Sequence, residues 1–457
     1  MVLELMKQYK SIFFLLFILI SIFIPYKEIL TFCGFYVAKA DASLYNQASK
    51  VVLVHHDDKS VITMMNDYKG NLKDFAIVVP VPVILEKEQV RVGDSKIVDH
   101  LDAYSAPRLV EYFDPNPCRR YEYDDYAETK RNKKVAESTQ MSPSAPLKDM
   151  GVKVEASYTV GEYDIQILSA KFSDGLETWL NQNGYKIPKG ASEALKPYIN
   201  QKLKFFVAKV NLKSIEKGLT FLRPLQFAFD SPKFMLPIRL GMLNAESDQD
   251  LLLYVISREG RVETTNYRTV KLPSDLEVPE FVKTDFANFY RAMFSHQAKK
   301  ENFRVVFTEY FWNMSWCDPC AADPLSREEL KDLGVFWLEG DDIISNKKKG
   351  KPLRPNSNSD IMLTRLHVRY NPQTFPEDLV FQETKDQNNF QGRYIIQHTW
   401  KGSKNECSAA EEYFDLLEQR QKKRADNYTL LTGLDATSKM NLSPKKENEK
   451  WWKKIWK

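Results

Sequence analysis

The sequence predicts an α+β fold, β-rich, with mostly antiparallel sheets and a few packed helices. Three observations predict it. Short β-branched and aromatic runs recur along the chain, among them "VVLVHH", "LKFFVAKVNL", "DLLLYVIS" and "LTRLHVRYN", each bounded by polar or turn residues. Helical periodicity is confined to a few capped segments. The chain has 457 residues, 43% hydrophobic and 28% charged, which is globular composition with room for two or three domains or one composite unit.

The first segment, 1–31, stands apart. Lys7 and Lys10 precede the apolar run 11–26, the pattern of a signal peptide. Lys27 and Glu28 end that run short of the roughly 20 residues a spanning helix needs, so the segment is expected to be a signal peptide or N-terminal membrane anchor. A β-rich region is expected over 32–118. It opens with a hairpin at 51–67, where His55-His56 reads as a strand end entering a turn rather than a metal pair. The prolines of "FAIVVPVPVIL" (75–85) remove amide donors and predict an edge strand or extended crossing segment. "SAPRLVEYF" predicts a short helix capped by Ser105 with Pro107 in its first turn.

Residues 119–150 are charged, poor in apolar residues and end in Ser and Pro, which predicts a linker or surface loop. The main α+β region is expected over 151–433. Strands follow "KVEASYTVGEYDIQIL", and a helix is expected over 173–185, closed by Gly184. Val282, Phe286, Phe289, Tyr290 and Met293 share a helical face that reads as core. A last helix is expected from Ser408, with Glu411 completing a capping box. The basic tail, 434–457, carries Trp451, Trp452, Ile455 and Trp456 among lysines, a composition suited to a membrane interface.

The five cysteines, Cys33, Cys118, Cys317, Cys320 and Cys407, are disulfide candidates in an exported chain. An odd count leaves at least one outside any intrachain bridge, and the sequence fixes no connectivity. Cys317 and Cys320 lie in Trp316-Cys317-Asp318-Pro319-Cys320, which has the look of a thiol–disulfide oxidoreductase motif. A redox Cys-x-x-Cys needs its first cysteine at a helix N-terminus. Here a helix starting at Cys317 would hold Pro324 in its interior, at a cost of about 3 kcal/mol. The clear start is Ser326 with Glu329, a capping box, and the helix ends at Gly334. Asp318 and Asp323 disfavour a thiolate, and no Lys or Arg lies between Trp312 and Ser326. The pair is therefore read as a structural disulfide in a loop, with a redox pair as the alternative. A structural zinc normally needs two such pairs, and no metal or other cofactor is assigned.

"FCGFYVAKADASLYNQASKVVL", "FAIVVPVP", "VDHLDAYSAPRLVEYFDPNPC", "YDIQILSAKFSDGLETWLNQNGYKIP", "LPIRLGML" and "WCDPCAADPLSREELKDLGVFWL" together resemble a family of exported bacterial proteins, the domain of unknown function 2330. The resemblance runs from about Phe32 to about Gly433. It implies an envelope protein and places the cysteine motif in this family rather than among thioredoxins. It supplies no catalytic residue.

No Gly-x-Ser-x-Gly, His-Glu-x-x-His or phosphate-cradling Gly-rich loop occurs. The net charge of +4 is interspersed, which argues against a nucleic-acid partner. The expectation is an exported protein of the periplasm or the outer face of the inner membrane, or secreted. It would bind or scaffold an envelope partner and touch the membrane through its two ends. The alternatives are a thiol–disulfide protein using Cys317 and Cys320, or a hydrolase without a recognisable motif.

Overall fold

The computed structural model describes residues 35–38, 45–69, 75–119, 152–183, 190–210, 223–244, 248–318, 320, 322–338, 360–437 and 439–440. The expected signal segment, Cys33, most of the expected linker and the Trp-rich end of the tail lie outside them.

Numbering strands in chain order, the largest sheet runs β14 (Arg268–Lys271), β16 (Val305–Asn313), β17 (Met362–Tyr370), β12 (Gln249–Ser257), β2 (Tyr45–His56), β3 (Lys59–Lys69), β10 (Leu225–Asp230) and β5 (Val90–Val92). A short strand, β19 (Phe390–Gln391), adds to β16. The second sheet runs β1 (Phe35–Ala38), β4 (Phe75–Val81), β9 (Lys204–Val210), β8 (Tyr163–Ala170) and β7 (Val152–Val160), all antiparallel. Two three-stranded sheets complete the set. One is β11 (Met235–Leu236), β18 (Leu379–Glu383) and β13 (Val262–Thr264). The other is parallel throughout: β15 (Leu276–Glu277), β20 (Arg393–His398) and β6 (Arg108–Phe113). The α+β, β-rich and mostly antiparallel expectation holds.

Alternation on the strands sets the layers. Val51, Leu53, Ile62, Leu251, Leu253, Leu366 and Val368 leave one face of the large sheet and meet Ile77, Val79, Ile165, Ile167 and Phe206 of the second. This dry interior is the main source of stability, at roughly 1.5–3 kcal/mol per fully buried side chain. The outer face of the second sheet packs Phe205 and Val207 on helices α2 (Ser173–Gln182) and α3 (Ala191–Asn200), through Leu176, Leu180, Leu195 and Tyr198. The outer face of the large sheet is covered by α1 (Ser95–Ser105), α4 (Phe286–Lys300) and α5 (Arg327–Asp332). The long α6 (Ser408–Thr432) packs Tyr428 and Leu431 with Phe289 and Met293 of α4.

Three local expectations are corrected. Residues 105–113 are not a helix: α1 ends at Ser105, and Arg108–Phe113 is strand β6. Ser105 Oγ donates back to Leu101 O at 2.7 Å instead of capping, Ala106 is extended before Pro107, and β20 offers β6 a parallel partner over six residues. The α6 capping box does not form, because Cys407 takes the cap position and makes no side-chain cap bond. Strand β4 is internal rather than an edge over Ala76–Val78, where it pairs with both β1 and β9. From Val79 onward it pairs with β9 alone, so Pro80 lies where β4 is an edge. The hairpin at 51–67 forms as expected, turning at Asp57 (φ 51°). His55 is buried at its end, stacked on Phe234 at 3.8 Å and bonded to Ser60 Oγ at 2.9 Å. Burial, then the neighbouring His56, lower its pKa to about 4.

Candidate functional site

Helix α1 joins two features on the outer face of the large sheet. One is a buried seam of charged side chains. The other is the Trp316–Pro324 loop with its cysteine pair.

The seam is built on β17, whose Arg365, His367 and Arg369 alternate with Leu366, Val368 and Tyr370. Its counter-charge is Glu309 of β16, fully buried. The register of β16 on β17 shifts between Thr308 and Tyr310, which makes Glu309 the extra residue of a β-bulge. A bulge re-aims one side chain out of the regular alternation, and this one points the carboxylate between Arg365 and His367. Gly392 closes the bulge from behind, its amide donating to Glu309 O at 2.7 Å, and a Cβ there would meet that carbonyl at 3.2 Å.

Arg365 Nε donates to Glu309 Oε2 at 2.7 Å, and Arg365 Nη1 to Asp102 Oδ1 of α1 at 2.6 Å. Asp102 also accepts from Tyr254 OH at 2.8 Å and pairs with Lys50 at 2.8 Å. His367 Nδ1 lies 2.7 Å from Glu309 Oε1, its ring stacked 3.6 Å under Phe294 of α4. Tyr290 OH of α4 donates to the same Glu309 oxygen. On the other side His367 Nε2 stands 3.7 Å from Asp250, which Arg369 holds through two 2.7 Å bonds.

Burial opposes each charge, and opposite charges outweigh it. Arg365 and Lys50 hold Asp102 at a pKa of about 2. His367 and Arg365 do the same for Glu309, and bonds from Arg369 and His367 for Asp250, each to about 2. For His367, burial disfavours the imidazolium, but Glu309 and Asp250 raise its pKa above the usual value. The centre of the seam is sealed, with Arg365 and His367 only 4% and 6% exposed, while Lys50, Asp102 and Arg369 at its ends are partly exposed. That arrangement pins α1 and α4 to the sheet and leaves no approach for substrate at Glu309.

The loop meets the same half of α1 through His100 and Tyr104, which flank Asp102. Cys317 and Cys320 form a disulfide, Cα–Cα 5.2 Å, ahead of α5 rather than on it. Ser326 and Glu329 form the expected capping box. Tyr104 OH of α1 donates to Trp316 O at 3.2 Å. His100 of α1 places one ring nitrogen 2.9 Å from Asp323 O and the other 2.8 Å from Glu329 Oε1. Burial works against the Glu329 charge, and bonds from His100 and Ser326 outweigh it and hold its pKa below the usual value. Cys317 is partly buried against Leu330 and its neighbours, and Cys320 is exposed. The thiols stand at no helix N-terminus.

The other bridge, Cys118–Cys407, spans 289 residues with Cα–Cα 5.9 Å. It ties the segment after β6 to the start of α6, where Asp114 accepts from Tyr413 OH at 2.6 Å and from Arg420. Among the described residues no cluster of three or more His, Cys, Asp or Glu has metal-binding geometry, and no helix is long and apolar enough to cross a membrane. Of the predicted site residues, four cysteines are thus placed in two bridges. Cys33, Trp451, Trp452, Ile455 and Trp456 lie outside the described residues. The sequence reading missed the seam entirely.

A family model described as an uncharacterized protein conserved in bacteria, the domain of unknown function 2330, matches residues 28–382. No curated protein matches the chain. Among solved structures, the chain is similar to baculovirus P35 after caspase cleavage, a mutated form, in two structures. The first has 10% identity and a TM-score of 0.26, covering 47% of this chain and 66% of that one. The second has 9% identity and a TM-score of 0.25, covering 47% and 67%. Baculovirus P35 itself gives 14% identity and a TM-score of 0.23, covering 49% and 68%. No function is transferred at these scores.

Proposed function

We propose, from the premise that the chain belongs to the bacterial family of domain of unknown function 2330, that it is an exported envelope protein that binds or scaffolds. Its disulfides brace it and do not turn over. The observation that carries this reading is Cys118–Cys407, a bridge between residues 289 apart. A long-range bridge of this kind persists in oxidising compartments outside the cytosol. The apolar run at 11–26 supports the same location.

The test has two parts. Cells are fractionated, and the protein is alkylated and mapped by peptide mass; both bridges are expected oxidised in the envelope fraction. The purified protein is then offered a reduced dithiol peptide, and no multiple turnover is expected. A cytosolic, reduced protein would overturn the location. Catalytic exchange abolished by Cys317→Ser would overturn the binding reading in favour of the thiol–disulfide alternative.

A further inference from the structure

The cysteine motif has one neighbour that a bracing role does not use. Trp316 is 49% exposed, and its ring meets Trp312 edge-on at 4.9 Å. The two indoles make an aromatic corner at the surface. Tryptophan is enriched among the residues that dominate binding at protein interfaces.

The corner is rigid. Met314 N donates to Ile361 O at 2.8 Å, and Ser315 N to Asn313 Oδ1 at 2.9 Å. Tyr104 OH holds the Trp316 carbonyl, His100 holds that of Asp323, and the disulfide closes the turn between them. Such fixing lowers the ordering cost of association. Among the described residues, the loop that follows the corner is uncompensated in charge. Asp318 and Asp323 are both exposed, and neither carboxylate makes an ion pair among the described residues. No Lys or Arg occurs between Trp312 and Ser326 to neutralise them.

We infer that the Trp312–Trp316 corner with Asp318 and Asp323 is a recognition site for a cationic side chain, Arg or Lys, on a basic segment of a partner protein. An indole face attracts a cation through its quadrupole, Arg most often, and flanking carboxylates add Coulomb attraction and steer the approach. The motif thereby gains a role: its disulfide presents Trp316. This inference rests on the binding reading above and names the surface that does the binding.

The probe is a dye-labelled hexa-arginine amide, titrated into the oxidised full chain and followed by fluorescence anisotropy, with labelled hexa-glutamate as comparison. Saturable binding of the basic peptide is expected. Trp316→Ala weakens it about fivefold or more, and so does the double variant Asp318→Asn/Asp323→Asn. Trp316→Phe, which keeps a ring, stays within about twofold. Glu411→Gln/Glu412→Gln, which removes two exposed charges from α6, changes nothing. Three results overturn the site: no saturable binding, equal binding of hexa-glutamate, or equal weakening by the α6 variant. Should Trp316→Ala unfold, the aspartate variant still decides. Failure here leaves the oxidation state and fractionation results untouched, so the two readings fail separately.

Discussion

Strand β17 has two faces with opposite chemistry. Leu366 and Val368 enter the dry interior between the two large sheets, where any residue of similar shape and polarity serves. Arg365 and His367, one residue away, enter a charged seam where each side chain is held to named atoms. The first face supplies bulk stability. The second fixes where α1 and α4 sit, because a guanidinium with two carboxylate partners accepts one geometry. The comparison teaches that one strand contributes cohesion on one side and position on the other.

The largest expected effect breaks the second face. Glu309→Ala leaves Arg365 and His367 buried with their shared counter-charge gone. Stripping one partner from a buried pair costs about 3–5 kcal/mol, measured by urea unfolding of the oxidised protein. Replacing Glu309, Arg365 and His367 together by apolar residues is expected to recover at least half of that loss, since no buried charge is then orphaned among the three. A loss under about 1 kcal/mol for Glu309→Ala would show the seam to be wetter than its burial implies. On the other face, Leu366→Ala is expected to cost about 2–4 kcal/mol through its cavity.

The two disulfides extend the contrast between cohesion and position. Chain-entropy stabilisation grows with the logarithm of the loop closed. Removing Cys118–Cys407, by Cys118→Ser/Cys407→Ser, is expected to cost about 2–4 kcal/mol. Removing Cys317–Cys320, three positions apart, is expected to cost about 2 kcal/mol at most. Unfolding midpoints of the two double variants against the parent decide the order. A larger loss from the short bridge would make it a global staple rather than a local clamp.

The pH dependence sharpens the seam further. His367 has a raised folded pKa, so its stabilisation is complete below its unfolded value of about 6.5 and is lost as pH rises through the folded value. Asp102, Glu309 and Asp250 have folded pKa values of about 2. Their stabilisation is present above the unfolded carboxylate range of about 4 and is lost as pH falls towards 2. Stability is therefore expected to peak between about pH 4 and 6.5 in its seam component, with a slope of up to about 1.4 kcal/mol per pH unit for each titrating proton. His367→Asn is expected to remove the alkaline limb and to shrink the acid limb, since Glu309 and Asp250 each lose one cationic partner while Asp102 keeps Arg365 and Lys50. An unchanged alkaline limb in that variant would assign it to another group.

Much of the fold was legible in the sequence and the seam was not, for a physical reason. The apolar runs of β2, β9, β12 and β16 announce themselves because both faces are covered. In β17 the alternation of Arg365, His367 and Arg369 with apolar residues is the signature of a half-solvated strand, and a buried charged face gives the same letters. Glu309 was hidden further, since its direction depends on a bulge that only pairing with β17 reveals. Ser105, with Pro107 in the next turn, and Ser408, with Glu411 three residues on, both read as caps, but residues 108–113 pair as β6 and Cys407 takes the cap position of α6. At Ser326 the box closes as read: the hydroxyl accepts from Glu329 N and the Glu329 carboxylate takes the Ser326 amide.

Ser326 also gives the smallest expected effect. Its hydroxyl accepts from Glu329 N at 3.2 Å, while Glu329 Oε2 takes the Ser326 amide at 2.8 Å. Ser326→Ala removes the hydroxyl half of this box and is expected to cost about 1 kcal/mol, the ordinary value of a lost cap. The other half survives, because the amide of residue 326 remains and His100 still holds Glu329 Oε1. The Trp316 corner is fixed upstream by Tyr104 and by the Cys317–Cys320 bridge. Affinity for the basic peptide is therefore expected to change less than about twofold, well under 1 kcal/mol, even as the unfolding midpoint drops. If affinity falls together with stability, α5 and not α1 positions the corner. His100 would then be the residue to vary next, since it touches both the loop carbonyl and the α5 carboxylate.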